Sequence, residues 1–186
     1  MKLVQITLVL ILLHSPIISI AGNTKKFPSV EAMIEKFNDY SVSNGTFKII
    51  KNKPLHIQLS PQVVKGDFPE IIELQVKRAL IYGIYRSYVH TNINNITVTA
   101  IPKEINFNNK KSKYLAGHKR TIFTTRSKAL SLVKKYINVT SFSKLVKEEK
   151  MSGMVYYDQW IKDFDRIYYN DQGQPGLNRF ISELAK

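Results

Sequence analysis

Apolar side chains recur along this chain at helical spacing in some stretches and in short β-prone runs in others, and the boundaries between the two outline its elements. Val30, Met33, Ile34 and Phe37 fall three and four residues apart behind Ser29, which predicts a helix over about 30–40 capped by that serine. Asn44-Gly45 marks a turn. The runs 46–50 and 55–59, separated by Lys51, Asn52, Lys53 and Pro54, then predict a hairpin. Asp67, Phe68, Pro69 and Glu70 predict the start of a long helix: an acidic cap, a proline in the first turn where no amide is missed, and a carboxylate three residues on. Residues 79–85 are apolar nearly all round, so this helix is expected at the buried centre, with Gly83 allowing a neighbouring element to approach closely.

Asn92 to Asn95 ends that helix, and residues 96–101 make the clearest strand, closed by Pro102, with Ile96, Val98 and Ala100 facing the core. A further strand over 119–124 leads into a helix capped by Thr125, with Ala129, Leu130, Val133, Tyr136 and Ile137 on one face. Ser141 is read as the cap of a shorter helix carrying Phe142, Leu145 and Val146. Beyond Gly153, the spacing of Tyr157, Trp160, Ile161, Phe164, Ile167 and Tyr168 predicts an amphipathic helix. Asn170 to Gly176 reads as a turn, and Leu177, Phe180, Ile181 and Leu184 as a last short helix. This order predicts an α+β fold: a small antiparallel sheet of about four strands covered by several helices, with a helical C-terminal third. Between Lys103 and His118 neither spacing holds, and residues 103–118 are expected to be an exposed basic loop.

The first residues follow a different logic. Lys2 precedes an apolar run over 3–13, and Ser19 and Ala21 place small side chains before a cut after Ala21, the pattern of a secretory signal peptide over 1–21. The run is well short of the roughly 20 residues of a spanning helix, so residues 22–186 are expected to form one domain without a transmembrane segment, periplasmic or secreted. The chain has no cysteine, so its folding rests on a hydrophobic core rather than on disulfides, and about 165 residues suffice for one.

Charge adds the most informative feature. The chain carries 28 Lys+Arg against 14 Asp+Glu, and residues 103–150 alone hold thirteen basic and three acidic side chains, a surplus of ten. A field of that size concentrates anionic partners near the surface. Lys110, Lys111, Lys113, Lys119, Arg120, Arg126 and Lys128, with Tyr114 and Phe123 among them, are the candidate docking surface. Its cations would neutralise phosphate or carboxylate groups while an aromatic face stacks on a base or sugar.

Candidate catalytic groups are few. His56, His90 and His118 have no metal-ligand spacing, and neither a metal nor a cofactor is expected. With Lys119 they would suffice for acid/base cleavage of an anionic polymer, provided that they share one cleft. Asp158, Asp163 and Asp165 read as the polar side of a helix rather than as a glycosidase pair. Tyr156 and Tyr169 fall off the apolar stripe and are the candidates for contact with another protein. The sequence thus favours a non-enzymatic exported binding or envelope-assembly protein that docks an acidic polymer, an anionic membrane surface or an acidic protein. The alternatives are a small secreted hydrolase, and a structural component of an envelope protein complex held through its aromatic C-terminal helices.

Overall fold

Burial of one continuous helical rod decides the architecture. In the computed structural model, which describes residues 24–169 and 176–186, helix α1 spans Val30–Phe37 and strands β1, β2 and β3 span Phe47–Lys51, His56–Leu59 and Gln62–Val64. The rod follows as α2 (Pro69–Ile81), a π-helical segment (Tyr82–Arg86) and α3 (Ser87–His90). Strands β4 (Asn95–Ala100), β5 (Lys103–Asn106), β6 (Lys111–Tyr114) and β7 (Arg120–Thr125) come next, then α4 (Arg126–Tyr136), β8 (Val146–Met151), β9 (Met154–Trp160), α5 (Lys162–Tyr169) and α6 (Gly176–Ala185). Among the described residues no helix is long and apolar enough to cross a membrane. The signal segment with its cut after Ala21, and the turn read over 170–176, lie outside the described residues except for Gly176.

Every residue from Ala79 to Thr91 is buried, and Gly83 is where the rod meets the sheet. A Cβ there would lie 2.8 Å from Val98 Cγ1 and 2.9 Å from Leu59 Cδ1, so only a glycine lets the backbone come this close. On the sheet side Ile96, Val98 and Ala100 turn to the core as expected, and Ile57, Leu59 and Ile122 join them there. Tyr85 ties in the C-terminal helices. Its ring centroid lies 5.1 Å from that of Phe164 in α5 and 5.5 Å from that of Phe180 in α6, and its hydroxyl donates to Ala129 O at 3.0 Å.

The main sheet has four strands in the order β1-β2-β4-β7. Strands β1 and β2, and β4 and β7, pair antiparallel, but β2 and β4 run parallel. The helical rod connects these two central strands, and such a crossover carries the chain from the end where β2 finishes back to the end where β2 began, which a tight hairpin cannot do.

Four local expectations are corrected. Residues 103–118 are not a loop: β5 and β6 form a hairpin, and β3 adds to it in parallel as a second sheet. All four residues of β6 are exposed and all four of β5 half-buried, so no polar–apolar alternation marks the strands. The asparagines build the turn, with Asn106 Oδ1 accepting from Asn108 N–H and Asn109 Oδ1 from Lys111 N–H, each at 3.0 Å.

The region after Ser141 is a 3₁₀ turn (Phe142–Leu145) leading into the hairpin β8–β9, so the helix read from Tyr157 onward starts only at Lys162. Ser152 and Gly153, at φ 52° and 77°, make a turn whose twist suits two strands. Asp67 caps no helix; its carboxylate accepts from Val64 N–H at 2.8 Å and closes the turn before α2.

Candidate functional site

The β5–β6 hairpin gathers part of the predicted basic surface. Pairing places Lys113 opposite Glu104 and Lys111 opposite Asn106. With Lys65, Asn109 and Ser112 these residues line a shallow cavity of about 290 Å³. Its charged groups are three lysines and one carboxylate, and Lys113 Nζ lies 3.3 Å from Glu104 Oε2. Lys110 occupies the exposed tip at φ 56°. Lys65 joins because its N–H continues the ladder from β3 to Ile105 O at 3.0 Å, a position that sequence spacing does not reveal.

Other members of the set sit elsewhere. Lys119 and Lys128 are exposed, on the approach to β7 and on the first turn of α4. Arg120 Nη2 and His118 Nδ1 both face Glu73 Oε1 of α2, at 3.3 and 3.1 Å. Tyr114 is a strut: its hydroxyl donates to Gly45 O at 2.8 Å and Lys103 Nζ donates to Asn44 O at 2.6 Å, so the hairpin is strapped to the turn before β1. Tyr114 as a whole is 47 % exposed.

Arg126 is not a surface cation. Its guanidinium donates to Ile93 O, Tyr88 O and Thr91 O at 2.8, 2.9 and 2.5 Å and stands over the rings of Tyr88 and Phe142. These carbonyls lie in α3 and the link to β4, so the side chain satisfies a helix C-terminus.

The histidines fall into three environments and none lines the cavity of the hairpin. His56 lies on the sheet face away from the helices, with Nε2 2.8 Å from Thr99 Oγ1. His118 faces Glu73. His90 is fully buried between Phe27 and Phe37, its Nδ1 2.8 Å from Lys25 O and its Nε2 without a hydrogen-bond partner.

A proton on His90 Nε2 would be a charge in the core. Burial pushes this pKa down to about 4, with Arg86 and Lys26 nearby acting the same way and the bond to Lys25 O opposing them. In the unfolded chain the group titrates near about 6.5, so its contribution to stability is complete above that pH and is lost as pH falls towards 4. Denaturant unfolding at about pH 7 and about pH 4.5 should show a loss smaller by about 2 kcal/mol in His90→Gln than in the wild type.

Sequence spacing misses a second cavity, of about 440 Å³, because its wall comes from three stretches far apart in the chain. Asp39 and Tyr40 follow α1, and Tyr82 and Arg86 project from the π-helical segment. Gln159 and Trp160 end β9, and Asp165, Tyr168 and Tyr169 belong to α5. Arg86 is buried, with its guanidinium carbon 3.6 Å from the Trp160 ring centroid. Of the two tyrosines singled out for protein contact, Tyr169 forms part of this cavity and is 44 % exposed, whereas Tyr156 is half-buried in β9.

Comparisons with protein-family models, with curated proteins and with solved structures give no match for this chain.

Proposed function

We propose that this protein is a non-enzymatic exported factor that docks an acidic polymer through the lysines of the β5–β6 hairpin. The observation that carries the reading is the convergence of Lys65, Lys111 and Lys113 on one shallow cavity against the single carboxylate Glu104, with Lys110 exposed at the tip. Lys111 and Lys113 stand on the same side of an edge strand, about 7 Å apart along it. A row of cations along an open edge suits charges repeated along a chain better than a single small anion. Export rests on the signal pattern of residues 1–21. The separate partners of His56, His90 and His118 favour binding over hydrolysis.

Equilibrium binding to heparin, single-stranded DNA and phosphatidylglycerol vesicles over a salt series tests the reading. Binding to one of the two polymers should weaken steadily with salt, and Lys110→Glu, Lys111→Glu and Lys113→Glu together should weaken it by at least about tenfold. No binding to either polymer, or unchanged binding by the variant, would overturn it. Binding to the vesicles alone would replace the polymer with a membrane surface.

A further inference from the structure

The geometry points to a binding site for a neutral saccharide in the cavity lined by Tyr40, Tyr82, Arg86, Trp160, Tyr168 and Tyr169. At about 440 Å³ the cavity falls within the roughly 300–1,000 Å³ typical of small-molecule sites. It is separate from the basic hairpin, and the two cavities share no residue.

Charge decides what this site takes. Asp39 and Asp165 line it together with Arg86, so in a chain of net charge +14 this cavity carries more carboxylates than cations. Two carboxylates oppose an anion. A cation is opposed by Arg86, whose guanidinium carbon already lies 3.6 Å from the centroid of the Trp160 ring, the best cation-binding ring in the wall. A neutral ligand remains, and it must match both aromatic faces and a dense set of hydrogen-bonding groups.

Sugars have that dual character, with C–H faces that stack on rings and hydroxyls that both donate and accept. The polar side is well supplied. Gln159 offers an amide, and burial above all holds the Tyr40, Tyr82 and Tyr168 phenols protonated as donors. Tyr169 forms the half-exposed rim, and its backbone carbonyl accepts from Arg78, whose guanidinium carbon is 5.1 Å from the tyrosine ring centroid.

The π-helical segment supplies both Tyr82 and Arg86, and local widening of this kind occurs frequently at functional sites.

Trp160 is the only tryptophan, so its fluorescence reports on this cavity alone. The full chain is titrated with maltose, cellobiose and N,N′-diacetylchitobiose, with choline chloride and sodium sulfate as charged probes. The expected result is a saturable change with at least one disaccharide and none with choline or sulfate. Tyr169→Ala should weaken the response by at least about tenfold and Tyr169→Phe should retain it, both with wild-type circular dichroism. Silence with all three disaccharides would overturn the assignment, as would a response confined to choline or sulfate, or undiminished binding by Tyr169→Ala. Heparin binding at the hairpin is read on the same samples and should not change in either Tyr169 variant.

Discussion

Arg126→Met should destabilise the protein by about 4 kcal/mol, measured by urea unfolding, although the position lies in the most basic stretch of the sequence. Three charge-assisted hydrogen bonds disappear at once, and the carbonyls of Tyr88, Thr91 and Ile93 lose a donor that water cannot fully replace inside the fold. The side-chain stem and its packing on Tyr88 and Phe142 are largely kept by methionine, so the loss reports on the guanidinium itself. Arg126→Lys sharpens the test. One ammonium cannot span three carbonyls held in a fork, so lysine should recover less than half of the loss despite the retained charge. Full recovery with lysine would make the site a matter of charge rather than of geometry.

Gly83→Val should cost about 3 kcal/mol and lower the thermal midpoint accordingly. The Cβ alone meets Val98 and Leu59 below 3.0 Å, and valine adds two methyl groups to the same gap. Both neighbours are central core residues on adjacent strands, so neither can give way without moving the sheet. Gly83→Ala should cost less than Gly83→Val, and Gly83→Ala in a Val98→Ala background should recover part of the loss, because removing Val98 Cγ1 and Cγ2 opens the space that the new Cβ needs.

These two positions also mark what the sequence made legible. Gly83 was readable because an apolar helix with one glycine among large side chains has few other uses for it, and the alternation of Ile96, Val98 and Ala100 fixed the face of β4. Arg126 was not, since nothing local says that a guanidinium will fold back over the end of the preceding helix. The hairpin of Lys103–Asn106 and Lys111–Tyr114 escaped because neither strand has a fully buried face and so neither leaves an alternating pattern. In β8–β9 a signal existed in Ser152-Gly153, but the helical spacing that truly begins near Trp160 masked it.

The two cavities differ in the same respect. Lys111 and Lys113 declared themselves by composition, and only the fold added Lys65. Tyr40, Arg86 and Trp160 come together from segments with no shared pattern, and individually each reads as core packing.

The docking account is tested most directly by two triple variants with the same net charge. Lys110, Lys111 and Lys113 are changed to Glu in one, and Lys48, Lys51 and Lys53, exposed around β1, in the other. Binding of each to heparin, or to single-stranded DNA if that is the polymer bound, is then measured at matched salt. The account predicts that the hairpin variant loses binding by at least about tenfold while the β1 variant falls only by the smaller amount expected of a weaker overall field. Equal losses in the two would contradict it, since the positive charge would then act as a diffuse property of the whole chain and not through the hairpin.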